Sequence, residues 1–253
     1  MTAAASTRTT PRPPSLPGVA LSAAVLLAWA LSLVAALGLP RTSIPWAAWP
    51  LLIALRTWLH TGLFIVAHDA MHGTVAPRHP RLNELVGALS VGLYALFPYA
   101  TLRSEHRLHH AHPASADDPD YHDGTHVGFG RWYLRFIGHY LRWPQVLGHA
   151  VIFNVLQHVV HVSQVNLLLF WVLPSLASTA QLFYFGTFLP HREPAGGYVD
   201  RHRARSNDMG AALSLLTCFH FGGYHWEHHE GPGVPWWALP STRARRTPAP
   251  PPR

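Results

Sequence analysis

Residues 18–39 read GVALSAAVLLAWALSLVAALGL, 22 positions without one ionisable side chain, and no other stretch limits the fold as strongly. At ~1.5 Å per residue, a helix of this length crosses the ~30 Å hydrocarbon core of a bilayer, where backbone polar groups must be satisfied within the segment. A cleaved leader has an apolar core of only ~7–15 residues, so the run is expected to be a retained span. Its return is expected over 46–67, after a short connection at 40–45. Arg56 and His60 lie in that second run, and such groups belong against a bundle interior or a watery pocket. Arg56 could serve helix carbonyls or a lipid headgroup.

Composition agrees with a membrane protein: charged residues are 12% of the chain, about half the ~25% of soluble domains. Residues 82–99 are apolar but short and contain Gly87, Gly92 and Pro98, which suggests an interfacial or re-entrant helix. The runs 146–162 and 166–189, separated only by SQV, predict a tight helical hairpin with Pro174 as a kink. Residues 1–17 and 241–253 are expected to be flexible tails around one domain at 18–240. The expected fold class is therefore an all-α integral membrane protein: about four transmembrane helices in two hairpins under a helical cap. All 19 basic side chains are arginine, and 17 of them fall on one expected side, with Arg41 on the other and Arg56 within a span. The positive-inside rule places the arginine-rich side, with both termini, in the cytoplasm. The net charge of +7 comes with no RNA-binding motif or zinc finger, so nucleic acid is not an expected partner. The single Cys218 rules out an intramolecular disulfide.

Three histidine clusters fall on that same side: His68 and His72; His106, His109 and His110; and His225, His228 and His229. Residues three and four apart share a helix face, and the 0, 3, 4 spacing occurs twice. A pH sensor would not require this repetition, and a metal transporter would place ligands near mid-membrane. A metal centre is expected. Eight imidazoles exceed the needs of one ion and divide naturally between two, and no cysteine stands among them. Neutral ligands need nearby acids to orient the rings. Candidates are Asp69, Glu105 and Glu227, with Asp117, Asp118 and Asp120 in ADDPD, a stretch that could equally be an Asp-Pro turn.

HDAMHG (68–73), HRLHH (106–110) and HWEHH (225–229) resemble the three histidine boxes of the membrane fatty-acid desaturase and hydroxylase superfamily, which carry a non-haem di-iron centre. More closely, the chain resembles the bacterial β-carotene 4-ketolases over about residues 20–240. This likeness rests on FIVAHDAMHGTVAP (64–77), ADDPDYH (116–122), LFYFGTFLPHR (182–192), DRHRARS (200–206), LLTCFHFGGYHWEHH (215–229) and VPWWALP (234–240). Trp226 departs from the family, which often has histidine there, and Glu230-Gly231-Pro232 departs after the last box.

The resemblance implies two irons, O2 as co-substrate, and oxidation of C4 and C4′ of β-ionone rings in a site on the bacterial inner membrane. β-Carotene would pass through echinenone to canthaxanthin, and zeaxanthin to astaxanthin. A carotenoid ring hydroxylase or a fatty-acyl desaturase would share the boxes. No flavin or dinucleotide fingerprint is present, so electrons are expected from a ferredoxin-type partner. The resemblance also implies a further ligand just after the last span, where His191 stands; the alternative is a histidine snorkelling to the interface beside Arg192. His220 is a weaker candidate, and His158 and His161 are expected to pack within the bundle. A carotenoid drawn from the bilayer needs an apolar tunnel. Its candidate lining is Phe97, Tyr99, Phe219, Phe221, Tyr224, Trp236 and Trp237, any of which could instead be core or an interfacial aromatic belt.

Overall fold

The computed structural model describes residues 13–244; residues 1–12 and 245–253, most of the two expected tails, lie outside the described residues. All regular elements among the described residues are helical. They are α1 (Leu16–Gly38), α2 (Trp49–Met71), α3 (Pro80–Ala95), α4 (Tyr99–Ala111), α5 (Phe129–Tyr140), α6 (Trp143–His158), α7 (Gln164–His191), α8 (Ala211–Cys218), α9 (His225–Glu230) and α10 (Leu239–Ala244). Two boundaries of the expected domain move outward. Ser15 is already buried, its hydroxyl accepting from the Arg78 amide at 3.0 Å. Residues 241–244 belong to α10, whose Arg243 is bonded to Glu227.

Three helices are long and apolar enough to cross a bilayer: α1, α2 with its preceding turn, and α7. The fourth expected span, 146–162, is instead the 16-residue α6. At ~1.5 Å per residue α6 is about 24 Å long, short of the ~30 Å core. A fourth crossing exists only if α3 and α4 count as one broken span, bent by 96°. The break has a local cause. Leu96 adopts a left-handed φ of 56°, and Pro98 removes an amide donor while disfavouring helical geometry at Phe97. His158 and His161 are exposed at the end of α6 and in the connection after it, not packed in the bundle, because α6 stops before it could bury them.

α2 is the central element, packed against α1, α3 and α7. Gly62 permits this: a Cβ there would stand 2.8 Å from the Phe219 ring and 2.9 Å from Val25. Arg56 of α2 is fully buried in the bundle and serves helix carbonyls. Its guanidinium donates to Trp29 O at 2.7 Å, Ser32 Oγ at 2.8 Å and Phe170 O at 3.2 Å. The α-helical donor for Phe170 O would be the nitrogen of Pro174, which carries no hydrogen. Pro174 thus creates the vacancy that Arg56 fills, next to a π turn at Leu168–Val172 that interrupts α7. His60 is bonded on both ring nitrogens: Trp29 Nε1 donates to Nδ1 at 3.1 Å, and Nε2 stands 2.9 Å from Tyr94 O.

At one end α7 meets α1, where Asn166 Nδ2 donates to Leu39 O at 3.2 Å. From there α7 runs back along α2 and ends at His191, whose ring meets His225. A second π turn, Tyr184–Phe188, precedes that end. One extra residue in a turn rotates everything beyond it by about 100°.

Candidate metal centre

Four segments converge on one side of the bundle. His68 lies in the last turn of α2 and His72 caps it; His106, His109 and His110 occupy the last turns of α4; His191 ends α7; and α9 is little more than the third cluster itself. The rings meet through their Nε2 atoms. His72 and His106 are 2.8 Å apart, His110 and His228 3.0 Å, His109 and His229 3.2 Å, His191 and His225 2.9 Å, and His225 and His229 3.0 Å. Two groups result, each with its ligand atoms within 4.8 Å of one another: His68, His72, His106, His110 and His228; and His109, His191, His225 and His229. Nitrogens sharing an ion at ~2.1 Å stand ~3.0 Å apart when they subtend a right angle, so the observed separations fit coordination. In the second group hydrogen bonding alone cannot explain them, since the run from His109 through His229 and His225 to His191 makes three contacts among four nitrogens, each of which can donate or accept once. Burial, then neighbouring imidazoles, push His225, His228 and His229 well below the ordinary value of 6.5. These rings are neutral at neutral pH, the form a metal requires. An all-imidazole donor set without cysteine suits iron.

The acids divide. Asp118 faces His109 Nδ1 with both oxygens, at 3.0 and 3.1 Å, and also accepts the amides of Ala114 at 2.8 Å and Asp120 at 2.9 Å. Burial would raise its carboxyl, but the facing His109 outweighs this and leaves it below the usual range. Asp120 comes within 3.7 Å of the same nitrogen, outside hydrogen-bond range. Asp69 is buried beside His68, yet its carboxylate accepts from the Trp236 amide at 3.1 Å, tying α2 to the segment after the third cluster. Glu227 takes Ser206 and Arg243 as donors and so anchors α9 rather than a ring. Burial would raise Glu227; the bonds from Arg243 and Ser206 reverse this and hold it below its ordinary value. Two expectations fail. Glu105 turns to His139 of α5 at 3.1 Å, and Asp117 is exposed because the turn that aims Asp118 inward aims its neighbour out.

A narrow, largely apolar cavity of about 110 Å³ reaches the histidines from the helix bundle. It touches His68 and His106 of one group and His109 and His225 of the other. Of the expected lining, Phe97 and Phe221 face this cavity. The other five do not. Phe219 stacks on Trp58 at 4.6 Å, Tyr99 packs against Gly87 in the core, and Tyr224 lies under the Arg243 guanidinium at 4.3 Å. Trp236 packs beneath Phe219, and Trp237 lines a separate surface depression.

The fatty acid desaturase family model matches residues 44–159 and 140–253. The chain belongs to the fatty acid desaturase family. It is 50% identical to a beta-carotene ketolase of Paracoccus sp. (strain N81106) over 75% of this chain and 76% of that one. It is 45% identical to the beta-carotene ketolase of Paracoccus sp. (strain PC1), over 88% of this chain and 90% of the relative. It is 38% identical to a zeaxanthin 4-ketolase of Chlamydomonas reinhardtii, over 92% of this chain and 55% of the relative.

In this fatty acid desaturase family chain, sequence reasoning missed the residues that hold His191. Its Nδ1 donates to Arg203 O at 2.9 Å, and Arg203 Nη1 donates to Ala114 O at 3.0 Å, next to the Asp118 turn. Tyr198 donates to His191 O at 2.6 Å. The stretch DRHRARS stood out in the sequence, but a backbone carbonyl leaves no side-chain signature. His220 joins neither group and packs beside Trp236. Its φ of 74° follows a φ of 47° at Phe219. Two successive left-handed residues are costly without glycine, and they make the sharp turn that leads from α8 into α9.

Proposed function

We propose that this chain is a carotenoid ketolase that oxidises C4 and C4′ of β-ionone rings, taking β-carotene through echinenone to canthaxanthin. The observation that carries the reading is one apolar cavity meeting both histidine groups; the ketolase names of its relatives supply the substrate class. One iron would be held by His68, His72, His106, His110 and His228, and the other by His109, His191, His225 and His229. Bound iron supplies the oxidising power, with O2 and electrons from an external ferredoxin-type donor. Each oxygenation uses one O2 and two electrons. The first leaves an alcohol at C4, and the second leaves a gem-diol that loses water to the ketone.

The chain's own residues supply position and dryness. Phe64, Tyr94, Phe97, Leu182 and Phe221 present an apolar wall on which a rigid polyene can lie with its ring against the centre. Asp118 fixes the His109 ring, and the Arg203 carbonyl fixes His191. The centre lies on the cytoplasmic face of the bacterial inner membrane, the side to which the sequence assigns 17 of 19 arginines.

The test is expression in a β-carotene-accumulating bacterium beside a His228→Ala variant, with pigments resolved by chromatography and mass spectrometry. Each oxidised ring should gain one oxygen and lose two hydrogens, and the variant should leave β-carotene untouched. Oxygen gain alone would point to a hydroxylase. Unchanged β-carotene with the wild type iron-loaded and in the membrane would sink the reading.

A further inference from the structure

Asp120 is not needed by the arrangement that orients the histidines. His109 Nδ1 is met by both oxygens of Asp118, while Asp120 Oδ2 stands 3.7 Å away. Asp120 Oδ1 accepts the hydroxyl of Tyr140, and among the described residues no donor reaches Oδ2. Yet the side chain is only 13% exposed and lines the cavity shared with His106 and His109. Oδ2 is therefore open to a hydrogen-bond donor that enters the cavity.

The residue is also held rigidly. Trp132 Nε1 donates to Asp120 O at 2.7 Å, and the Asp120 amide donates to Asp118 Oδ1 at 2.9 Å. The Tyr140 ring packs on Phe136 at 5.0 Å. Of the other hydroxyls on the cavity wall, Thr179 is engaged with Tyr133 at 2.6 Å and with Leu176 O at 2.8 Å, and Tyr94 accepts from Ser178 at 3.4 Å; Thr187 also lies on this wall. A fixed acceptor with a vacant lone pair in an apolar channel is what recognition of a single hydroxyl requires.

We infer that Asp120, positioned by Tyr140, accepts a hydrogen bond from a hydroxyl on the β-ionone ring as the ring lies beside the metal centre. The inference rests on the ketolase reading. Two hydroxyls have this chemistry: the C4 alcohol left by the first oxidation, which must stay for the second, and a C3 hydroxyl already carried by a substrate such as zeaxanthin.

The test uses the full-length chain in detergent as wild type, Asp120→Leu and Tyr140→Phe. Before iron loading, tryptophan quenching reports the binding of β-carotene and of zeaxanthin. After loading, the alcohol-to-ketone ratio from β-carotene is measured. Wild type should bind zeaxanthin about tenfold more tightly than β-carotene, the effect of one hydrogen bond to a charged group. Asp120→Leu should abolish that preference without weakening β-carotene, and Tyr140→Phe should reduce it; this pattern assigns the C3 hydroxyl. Equal affinities in wild type, with a raised alcohol-to-ketone ratio in both variants, assign the C4 alcohol. A zeaxanthin-to-β-carotene affinity ratio and an alcohol-to-ketone ratio both unchanged from wild type in the two variants, with ketone still formed, overturn the inference and leave the ketolase reading standing. Absence of ketone from wild type sinks that reading instead, and the iron-free binding ratio still decides the role of Asp120. Should Asp120→Leu fail to fold, Tyr140→Phe, which loses a single oxygen, decides alone.

Discussion

His109 belongs to one histidine group through Nε2 and is held from behind through Nδ1, and Asp118 makes that hold in duplicate. Replacing the carboxylate with an amide keeps the volume and removes the charge and one acceptor. Asp118→Asn should therefore lower iron retention against a chelator by roughly 10- to 100-fold while the fold survives. Metal content per chain, measured after dialysis, checks this; wild-type retention would mean that Asp118 serves only its turn. The histidines were legible in the sequence because their 0, 3, 4 spacing is local and any helix puts them on one face. The acids were not. Whether Glu105 meets an imidazole or His139 depends on where α5 lies, which no neighbouring residue of Glu105 encodes.

At the scale of elements, α2 and α7 are coupled by a proline and an arginine that lie 118 positions apart in the sequence. Pro174 leaves Phe170 O without its helical donor, and Arg56 Nε supplies one. Arg56→Met should lower stability because the carbonyl is then buried without a partner. Pro174→Ala restores a helical N–H, so the double variant should recover part of the loss, with a coupling of about 1 kcal/mol in a thermal-melting cycle. Strict additivity would show that the two residues act separately. The spans themselves were readable from length and polarity, and Arg56 was placed correctly in the bundle interior. The helix over 146–162 was misjudged because an apolar run shows where a helix is greasy, not where its hydrogen bonds stop. The channel was half-read for a related reason: Phe64, Tyr94 and Leu182 sit in apolar helices, where a cavity-lining side chain and a lipid-facing one look alike in sequence.

For the whole molecule, the proposed orientation is open to a direct check. Cys218 is fully buried, so the native chain gives little background to a thiol reagent. Thr42 lies exposed in the connection between α1 and α2, and Asp117 lies exposed on the histidine side. In intact spheroplasts a membrane-impermeant maleimide should label Thr42→Cys and spare Asp117→Cys until the cells are lysed; the reverse pattern would invert the topology. The wide separation of the ligands has a consequence for how the protein is made. One group spans residues 68 to 228 and the other 109 to 229. A nascent chain that has threaded all its long apolar helices into the membrane still holds neither set complete until α9 has been synthesised and has folded back against α2 and α4. Metal capture is therefore the closing act of biogenesis: a polypeptide stalled anywhere before that point is an inserted membrane protein with neither histidine group complete.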